Sequence, residues 1–442
     1  MGVAPTGTTR TGETRTGLGP LDTEGRVRSA AATYGRALLV ALPAWILSRI
    51  LVAVSLVAAH LLVSRVRPGN AGAAFRVHQG LLAWDGGWYQ SIAAHGYVAS
   101  SVQSLRFFPA FPMAARVLGH IPGLGVGAAL VIIANLCALA AMAALVVLVD
   151  HDMGDGRLAR RSVWLLALAP SAYSLVLGYA DAALLLCSVV TLLAARSGRW
   201  WWAAAAGLVA GLVRPVGILL VVPVAIEIWS AWRARASGAV NGRVAPVRKE
   251  KAARAAPSQT STPANSTSTT PATTGTVRTT TAAGQVAAVL GPVAGTAVYL
   301  GWVRAQFGDL WLPFRVQQQK GHRGVVTLPL ASMWHNVESV VHGHHLGSAL
   351  HVPWVLVCLV LLVVAFRRLP FSYACFAAAV LVVSLASSNL DSFERYALGA
   401  FPLVIAASTL TSRRGVELAV LAVAGAGMVA YAVLAFMGVV VP

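Results

Sequence analysis

Long apolar runs separated by short polar breaks make up most of the chain beyond residue 36. A helix needs about 20 apolar residues to cross the hydrocarbon core of a bilayer. Runs of about this length predict seven transmembrane helices, at 37–64, 124–149, 285–304, 349–366, 371–388, 395–411 and 415–440.

The stretch 162–232 is also apolar but is interrupted three times. The breaks are 178–181, which contains Gly178 and Asp181, 196–199, which contains two arginines, and Arg214-Pro215. They predict four shorter helices, near 162–177, 180–196, 200–213 and 215–232. The pattern as a whole therefore predicts an all-α polytopic membrane protein with about 11 transmembrane helices.

Basic residues in the polar breaks predict the orientation of these helices, because cytoplasmic loops carry an excess of Lys and Arg. If the N-terminal tail is cytoplasmic, alternation through eleven helices places the loops 150–161, 196–199, 233–284, 367–370 and 412–414 on the cytoplasmic side, and every one of them is basic. The two long loops of the opposite side are then 65–123 and 305–348.

The domain organisation follows from this arrangement. Residues 1–36 are rich in Gly, Thr and Arg and predict a disordered cytoplasmic tail. Residues 233–284 form a basic Ser/Thr/Pro-rich cytoplasmic loop that we also expect to be disordered. Two transmembrane regions remain, 37–232 with its enlarged outside loop 65–123, and 285–442 with the outside loop 305–348.

Composition agrees with a membrane protein and excludes an ordinary soluble enzyme. The chain is 57% hydrophobic and 11% charged, whereas soluble domains carry about 25% charged residues. The net charge is +19, and most of the basic residues lie in the polar tail and loops, so we expect membrane lipids and no nucleic acid as partners.

Residues that could hold a cofactor are few. The four cysteines lie in apolar runs, and no two of them form a CxxC motif. The histidine cluster at 342–345 lacks a carboxylate or cysteine at ligand spacing. No glycine-rich phosphate loop occurs. We therefore expect no metal and no cofactor, and the missing phosphate loop argues against an ATP-driven pump.

Carboxylates are scarce enough to search by elimination. Of fifteen, six fall on the predicted outer side: Asp85, Asp181, Asp309, Glu338, Asp391 and Glu394. Asp85 has the most unusual setting, between Trp84 and the sequence Gly-Gly-Trp-Tyr. Tryptophan and tyrosine suit a membrane interface, and paired glycines let the backbone approach a ligand closely. The alternative is an interfacial helix whose aspartate only faces water.

An ordered series of motifs resembles the PIG-V family, which contains GPI mannosyltransferase II and bacterial relatives. The matching segments span roughly residues 80–402, at 84–89 (WDGGWY), 95–97 (HGY), 107–112 (FFPAFP), 170–173 (PSAY), 178–182 (GYADA), 212–217 (LVRPVG), 307–309 (FGD), 317–319 (QQQ), 394–396 (ERY) and 401–402 (FP). The chain departs from the family pattern at Asp181, where glutamate is usual, and in the basic insertion within 233–284.

The resemblance implies a GT-C glycosyltransferase that transfers mannose from polyprenyl-phosphate-mannose to a glycolipid or lipoglycan acceptor. It implies an active site on the non-cytoplasmic face, with Asp85 as the catalytic base and inversion at the sugar carbon. The arginine- and alanine-rich composition suggests a bacterial cell membrane.

Other site residues follow from the chemistry of this reaction. A departing polyprenyl phosphate requires cations, and acceptor binding requires polar and aromatic groups. The donor-phosphate or substrate-binding candidates are Arg214, Lys320, His322, Arg323, Arg395, Trp84, Trp88, Tyr89 and His95. Secondary acidic candidates are Asp181, Asp309, Asp391 and Glu394.

Several alternatives remain open at this point. Arg214 and Arg395 could instead form structural ion pairs, for example with Asp181 or Glu394. The basic segment 319–323 could be a solvated loop. The chain as a whole could use another lipid-linked sugar, transport such a lipid, or serve as a membrane scaffold.

Overall fold

The computed structural model describes residues 20–241, 274–319, 323–328, 331, 334, 338, 351–388 and 390–441. Within these ranges the chain is helical and contains no strand. The α-helices are α1 Pro20–Val66, α2 Ala71–Gln79, α3 Asp85–His95, α4 Ala110–Leu118, α5 Gly125–Met153, α6 Gly156–Leu168, α7 Asp181–Arg196, α8 Trp200–Val213, α9 Val221–Asn241, α10 Thr274–Phe307, α11 Leu312–Gln317, α12 His351–Arg368, α13 Phe371–Leu385, α14 Phe393–Gly399, α15 Pro402–Leu410 and α16 Arg414–Phe436.

Five helical segments in the described ranges are long and apolar enough to cross a membrane: Ala31–Val66, Gly125–Met153, Pro215–Ala236, Thr281–Phe307 and Arg414–Phe436. Two shorter apolar helices, α8 and α13, accompany them. By length and composition the chain is therefore a helical membrane protein.

Proline ends two helices earlier than the apolar pattern predicts. The segment predicted as a helix over 162–177 is helical only to Leu168, because Pro170 disfavours helical backbone at the preceding residue. A 3-10 turn, Ala172–Leu175, follows. The predicted helix 395–411 is likewise divided into α14 and α15 next to Pro402. Both interruptions lie close to candidate site residues.

Segments expected to be disordered are partly helical. Helix α1 begins at Pro20, well inside the predicted tail, and α9 and α10 extend into the predicted loop 233–284 from both ends. Residues 1–19 and 242–273 lie outside the described residues. The first long loop, 65–123, is also largely helical, since it contains α2, α3 and α4.

Small residues let α8 and α10 pack with their backbones in contact. A Cβ atom at Gly295 would collide with the carbonyl oxygen of Leu208, and one at Gly211 would collide with that of Pro292. Such close approach through small residues is a common way for helices to associate in a membrane. Arg214, which follows α8 directly, is thereby held on a rigid pair of helices.

Polar clusters mark the two ends of α7. At its C-terminal end Arg196 lies 3.0 Å from Asp152 of α5 and 3.1 Å from Glu227 of α9. At its N-terminal end Asp181 meets Arg214 and Arg395. The helix between them is sixteen residues long, or about 24 Å. The candidate site therefore lies at one end of the helical bundle.

Candidate active site

Asp85 is the first residue of α3 and follows a strained residue. Trp84 has φ of 59°, which is uncommon for a residue with a side chain. Its indole Nε1 donates to the carbonyl oxygen of Ala435 at 2.9 Å, and the Arg76 guanidinium lies 4.2 Å from its ring centre. These contacts hold Trp84 in its unfavourable conformation and so fix the position at which Asp85 begins the helix.

Arg395 approaches Asp85 from α14, far along the chain. Its Nη1 lies 2.7 Å from Oδ2 of Asp85, and its Nε lies 3.8 Å from Oδ1 of Asp181. Its side chain is only 4% exposed. Ser392, at the start of α14, has φ of 65°. In the described residues, Trp84 and Ser392 are the only non-glycine residues with positive φ.

Arg214 extends this ion-pair network through its own contact with Asp181. The network therefore alternates in charge, from Asp85 to Arg395, Asp181 and Arg214. The alternative that Arg214 pairs with Asp181 is confirmed. Arg395 pairs with Asp85 and Asp181, and its neighbour Glu394 instead contacts His351.

Three guanidinium groups surround the Tyr396 ring. Arg323, Arg214 and Arg395 lie 4.5, 5.1 and 5.2 Å from the ring centre. Cations at such distances are attracted by the negative face of an aromatic ring. The ring therefore allows three positive charges to be concentrated in a small volume, where they would otherwise repel one another.

A cavity of about 350 Å³ opens onto this cluster. Residues from both halves of the sequence line it: Trp84, Asp85, Trp88, Tyr89, Arg106, Phe107, Phe108, Arg214, Pro215, Val216, Pro313, Phe314, Gln317, Arg323, Asp391, Ser392, Arg395, Tyr396 and Val441. Four of them are arginines and two are aspartates. A second, much smaller cavity beyond the ion pairs is lined by Asp181, Arg214 and Arg395 together with apolar residues.

Opposing effects act on the carboxyl of Asp85. Burial alone raises its pKa, but the guanidiniums of Arg395, Arg106 and Arg214 outweigh burial and hold the pKa below its ordinary value. Asp85 is therefore ionised at neutral pH. An ionised carboxylate can accept a proton from a hydroxyl group, although its pairing with Arg395 weakens it as a base until that cation is drawn elsewhere.

Most of the residues that the sequence singles out meet at this cavity. Trp84, Asp85, Trp88, Tyr89, Arg214, Arg323, Asp391 and Arg395 line it, and Asp181 lines the smaller cavity, where it contacts Arg214 and Arg395. His95 is exposed and does not line it. Asp309 pairs with the exposed Arg315 at 2.9 Å, also away from the lining. Lys320, His322 and the histidines at 342–345 lie outside the described residues.

Sequence reasoning missed three residues of the site. Arg106 lies 5.6 Å from the Trp88 ring centre, within a segment whose aromatic residues alone drew attention. Tyr396 enters the sequence argument only as part of the motif at 394–396. His351, which contacts Glu394 and Asp391, is a lone histidine at the start of an apolar run.

Arg49 is a further polar residue of structural importance, and it lies inside an apolar run that predicts only a transmembrane helix. It lies within the first membrane-spanning segment and donates to Asn135 Oδ1 at 2.8 Å and to the Leu175 carbonyl oxygen at 3.2 Å. Asn135 in turn donates to the carbonyl oxygen of Val176 at 2.9 Å. Together they satisfy carbonyl groups at the break after α6 and hold the segment that leads to Asp181. A charged residue inside an apolar run could have signalled this.

The geometry supports chemistry on a ligand that is anionic on one side and hydroxylated on the other. The arginines can neutralise a phosphate, and Asp85 can take a proton. In the described residues, no three His, Cys, Asp or Glu side chains are grouped as metal ligands would be. Comparison with protein-family models and with curated proteins finds no match to the chain.

Proposed function

We propose that the chain is a membrane glycosyltransferase that transfers mannose from polyprenyl-phosphate-mannose to a glycolipid or lipoglycan acceptor. The proposal starts from the PIG-V-like motif series. One observation supports it most directly: Asp85 and Arg395, from motifs far apart in the sequence, lie 2.7 Å apart in a cavity that four arginines line. A carboxylate beside clustered guanidiniums suits a reaction in which a hydroxyl attacks and a phosphate leaves.

The reaction would proceed by one inverting displacement. Asp85 accepts the proton of an acceptor hydroxyl as the oxygen attacks C1 of the donor mannose. The bond between C1 and the phosphate oxygen breaks, and polyprenyl phosphate departs with the electron pair. Arg214, Arg323 and Arg395 stabilise the negative charge that develops on the departing phosphate.

The Asp85–Arg395 pair would couple donor binding to the activation of the base. A bound phosphate competes with Asp85 for Arg395. As Arg395 turns towards the phosphate, the Asp85 carboxylate loses its strongest cationic partner, so its pKa rises and it becomes a better base. The base would thus become effective only when the donor is present.

The proposed setting is a GT-C-type bundle of about eleven transmembrane helices in a bacterial cell membrane. The N-terminal tail and the basic loops would be cytoplasmic, in keeping with the excess of arginine there. The cavity would then open on the outer face, where polyprenyl-linked sugars are used.

The test is transfer of radiolabelled mannose from polyprenyl-phosphate-mannose in membranes that contain matched amounts of each variant. We expect wild-type activity and a loss of about 10²–10⁴-fold in Asp85→Asn, because the amide keeps the size of the side chain but removes its basicity. Asp309→Asn is the matched control, since this carboxylate does not line the cavity and its loss leaves transfer near the wild-type level.

Other outcomes would overturn parts of the proposal. Equal transfer by wild type and Asp85→Asn would keep the activity but reject Asp85 as the base. A wild-type protein that transfers no mannose, yet transfers arabinose or glucose from the corresponding polyprenyl phosphate, would reject the sugar. No transfer from any such donor would reject the transferase.

A further inference from the structure

A second series of polar side chains reaches the cavity wall at Asp391. Asp391 lines the cavity just before α14 begins. His351, the first residue of α12, lies with its Nε2 3.7 Å from Oδ1 of Asp391 and its Nδ1 2.7 Å from Oε1 of Glu394. One imidazole therefore connects two carboxylates from neighbouring turns of the chain.

Of the side chains of Asp391, His351 and Glu394, only that of Asp391 is accessible from the cavity. The side chains of His351 and Glu394 are 4% and 6% exposed, whereas that of Asp391 is 44% exposed. The series of polar side chains continues beyond Glu394. The Tyr431 hydroxyl hydrogen-bonds to Glu394, and the Trp354 indole donates to the Tyr431 oxygen at 2.8 Å. Helices α12 and α16 thus support a carboxylate at the cavity surface.

The partners of Asp391 and Asp85 differ in a way that matters for binding. Asp85 pairs with Arg395, which also lines the cavity and can be claimed by an anionic ligand. Asp391 pairs with a buried histidine that does not line the cavity. An incoming phosphate can therefore change the partner of Asp85 while Asp391 keeps its own. A carboxylate that is 44% exposed and whose two oxygens offer about four acceptor positions suits hydroxyl groups as ligands.

We propose that Asp391 binds hydroxyl groups of a hexose in the cavity, with His351 as its positioning residue and Glu394 fixing the orientation of His351. This inference rests on the proposed transferase, which brings hexoses to the site on the donor and on the acceptor. The half-buried Trp88 ring, on the same cavity, offers an apolar surface for a sugar ring. Asp391 would hold and select the sugar while Asp85 performs the chemistry.

The first test measures binding without transfer. Radiolabelled methyl α-D-mannopyranoside is dialysed against the purified full chain in nanodiscs, with wild type compared with Asp391→Asn and with the control Asp309→Asn. We expect Asp391→Asn to weaken binding about 10–100-fold, which corresponds to a lost hydrogen bond to a charged group. Asp309→Asn should bind as wild type does. Equal binding by all three proteins, or no binding by the wild type, overturns the inference.

The role of His351 is tested by substitutions that differ in hydrogen bonding. His351→Leu should weaken methyl mannoside binding, and His351→Asn, which keeps a donor, should restore part of it. A purely structural role predicts that both variants lose thermal stability and binding to the same extent. Size-exclusion and thermal unfolding profiles identify variants that have lost their fold, and Asp391→Asn, which preserves side-chain size, remains the decisive comparison.

Steady-state kinetics then separates the two sources of hexose. If Asp391 holds the acceptor sugar, Asp391→Asn raises the KM for the acceptor about 10-fold or more, and if it holds the donor sugar the KM for the donor rises instead. Either result supports hydroxyl binding. Unchanged KM values for both substrates overturn it. Failure of the transferase proposal would appear separately, as absent transfer by the wild type despite sugar binding.

Discussion

Arg395 forms a 2.7 Å ion pair with Asp85 and joins the beginning of α3 to α14. Removing Arg395 alone leaves Asp85 without its closest counter-charge, whereas removing Asp85 alone leaves Arg395 its contact with Asp181. Breaking a buried pair by deleting one partner is more costly than deleting both. The two residues should therefore be energetically coupled.

A double-mutant cycle measures this coupling through the unfolding free energy of purified Asp85→Asn, Arg395→Gln and the double variant. The expected coupling is about 1–3 kcal/mol, with the double variant less destabilised than the sum of the single ones. The Asp309–Arg315 pair, in which the arginine side chain is 69% exposed instead of 4%, is the matched control and should give about 0–1 kcal/mol. Equal coupling in the two cycles would contradict the buried character of the Asp85 pair.

The pH dependence follows from the lowered pKa of Asp85. Because the carboxylate has its lower pKa in the folded protein, the stability that it contributes is present above the unfolded pKa and is lost only as pH falls through the folded one.

The value of kcat/KM reports ionisations of the free enzyme. It should therefore stay flat between about pH 5 and pH 7, where a carboxyl with a lowered pKa remains ionised.

The profile of kcat should differ, because it reports the complex with bound substrate. If phosphate draws Arg395 away from Asp85, the acid limb of kcat lies at higher pH than that of kcat/KM. Parallel measurement of both profiles with polyprenyl-phosphate-mannose checks this. Coincident acid limbs would show that Asp85 keeps its guanidinium partner in the complex.

Arg49 is expected to matter for stability although it lies away from the cavity lining. In Arg49→Met the oxygens of Asn135 and Leu175 lose their donor, which should cost about 1–3 kcal/mol of unfolding free energy. The control is Arg65→Met at an exposed position of the same helix, with an expected change within about 0.5 kcal/mol. Thermal unfolding of both variants measures the two changes. Equal changes would show that Arg49 does not stabilise the non-helical segment after α6.

Backbone contact between α8 and α10 gives a prediction with an internal control. Gly295→Ala would drive a methyl group into the Leu208 carbonyl, whereas Gly301→Ala on the same helix meets no atom within 4 Å. We expect Gly295→Ala to lower the unfolding free energy by about 1–3 kcal/mol through overpacking. Gly301→Ala should raise it by up to about 1 kcal/mol through helix propensity. Similar stabilities would indicate that the two helices separate easily.

How far the sequence predicts this molecule depends on which force determines each feature. Apolar periodicity and length locate helices well, since they reflect burial along one element; α7, with predicted bounds of 180–196, runs from Asp181 to Arg196. The break after Leu168 was less visible because a single proline, Pro170, overrides an otherwise continuous apolar run. The number of helices that cross the membrane stays a prediction.

For the candidate site, the sequence indicates individual residues but does not predict which of them pair. The sequence indicates Asp85 because its neighbours are unusual, and it indicates the arginines because charges are rare in apolar surroundings. Their pairing was not predictable, since Arg395 contacts a residue of a distant motif while its neighbour Glu394 contacts His351. Those contacts depend on how α12, α14 and α3 pack, and no local pattern in the chain records that packing.

Val441 lines the cavity, and Arg67 binds the carbonyl oxygens of Met437 and Gly438 just before it. The segment that follows α16 is thereby held beside a cavity whose charged residues come from distant parts of the sequence. A bulky substitution at Val441 would narrow this cavity without touching Asp85 or Arg395. Loss of transfer in such a variant would therefore reflect obstructed substrate entry and not a change in the residues that perform the chemistry.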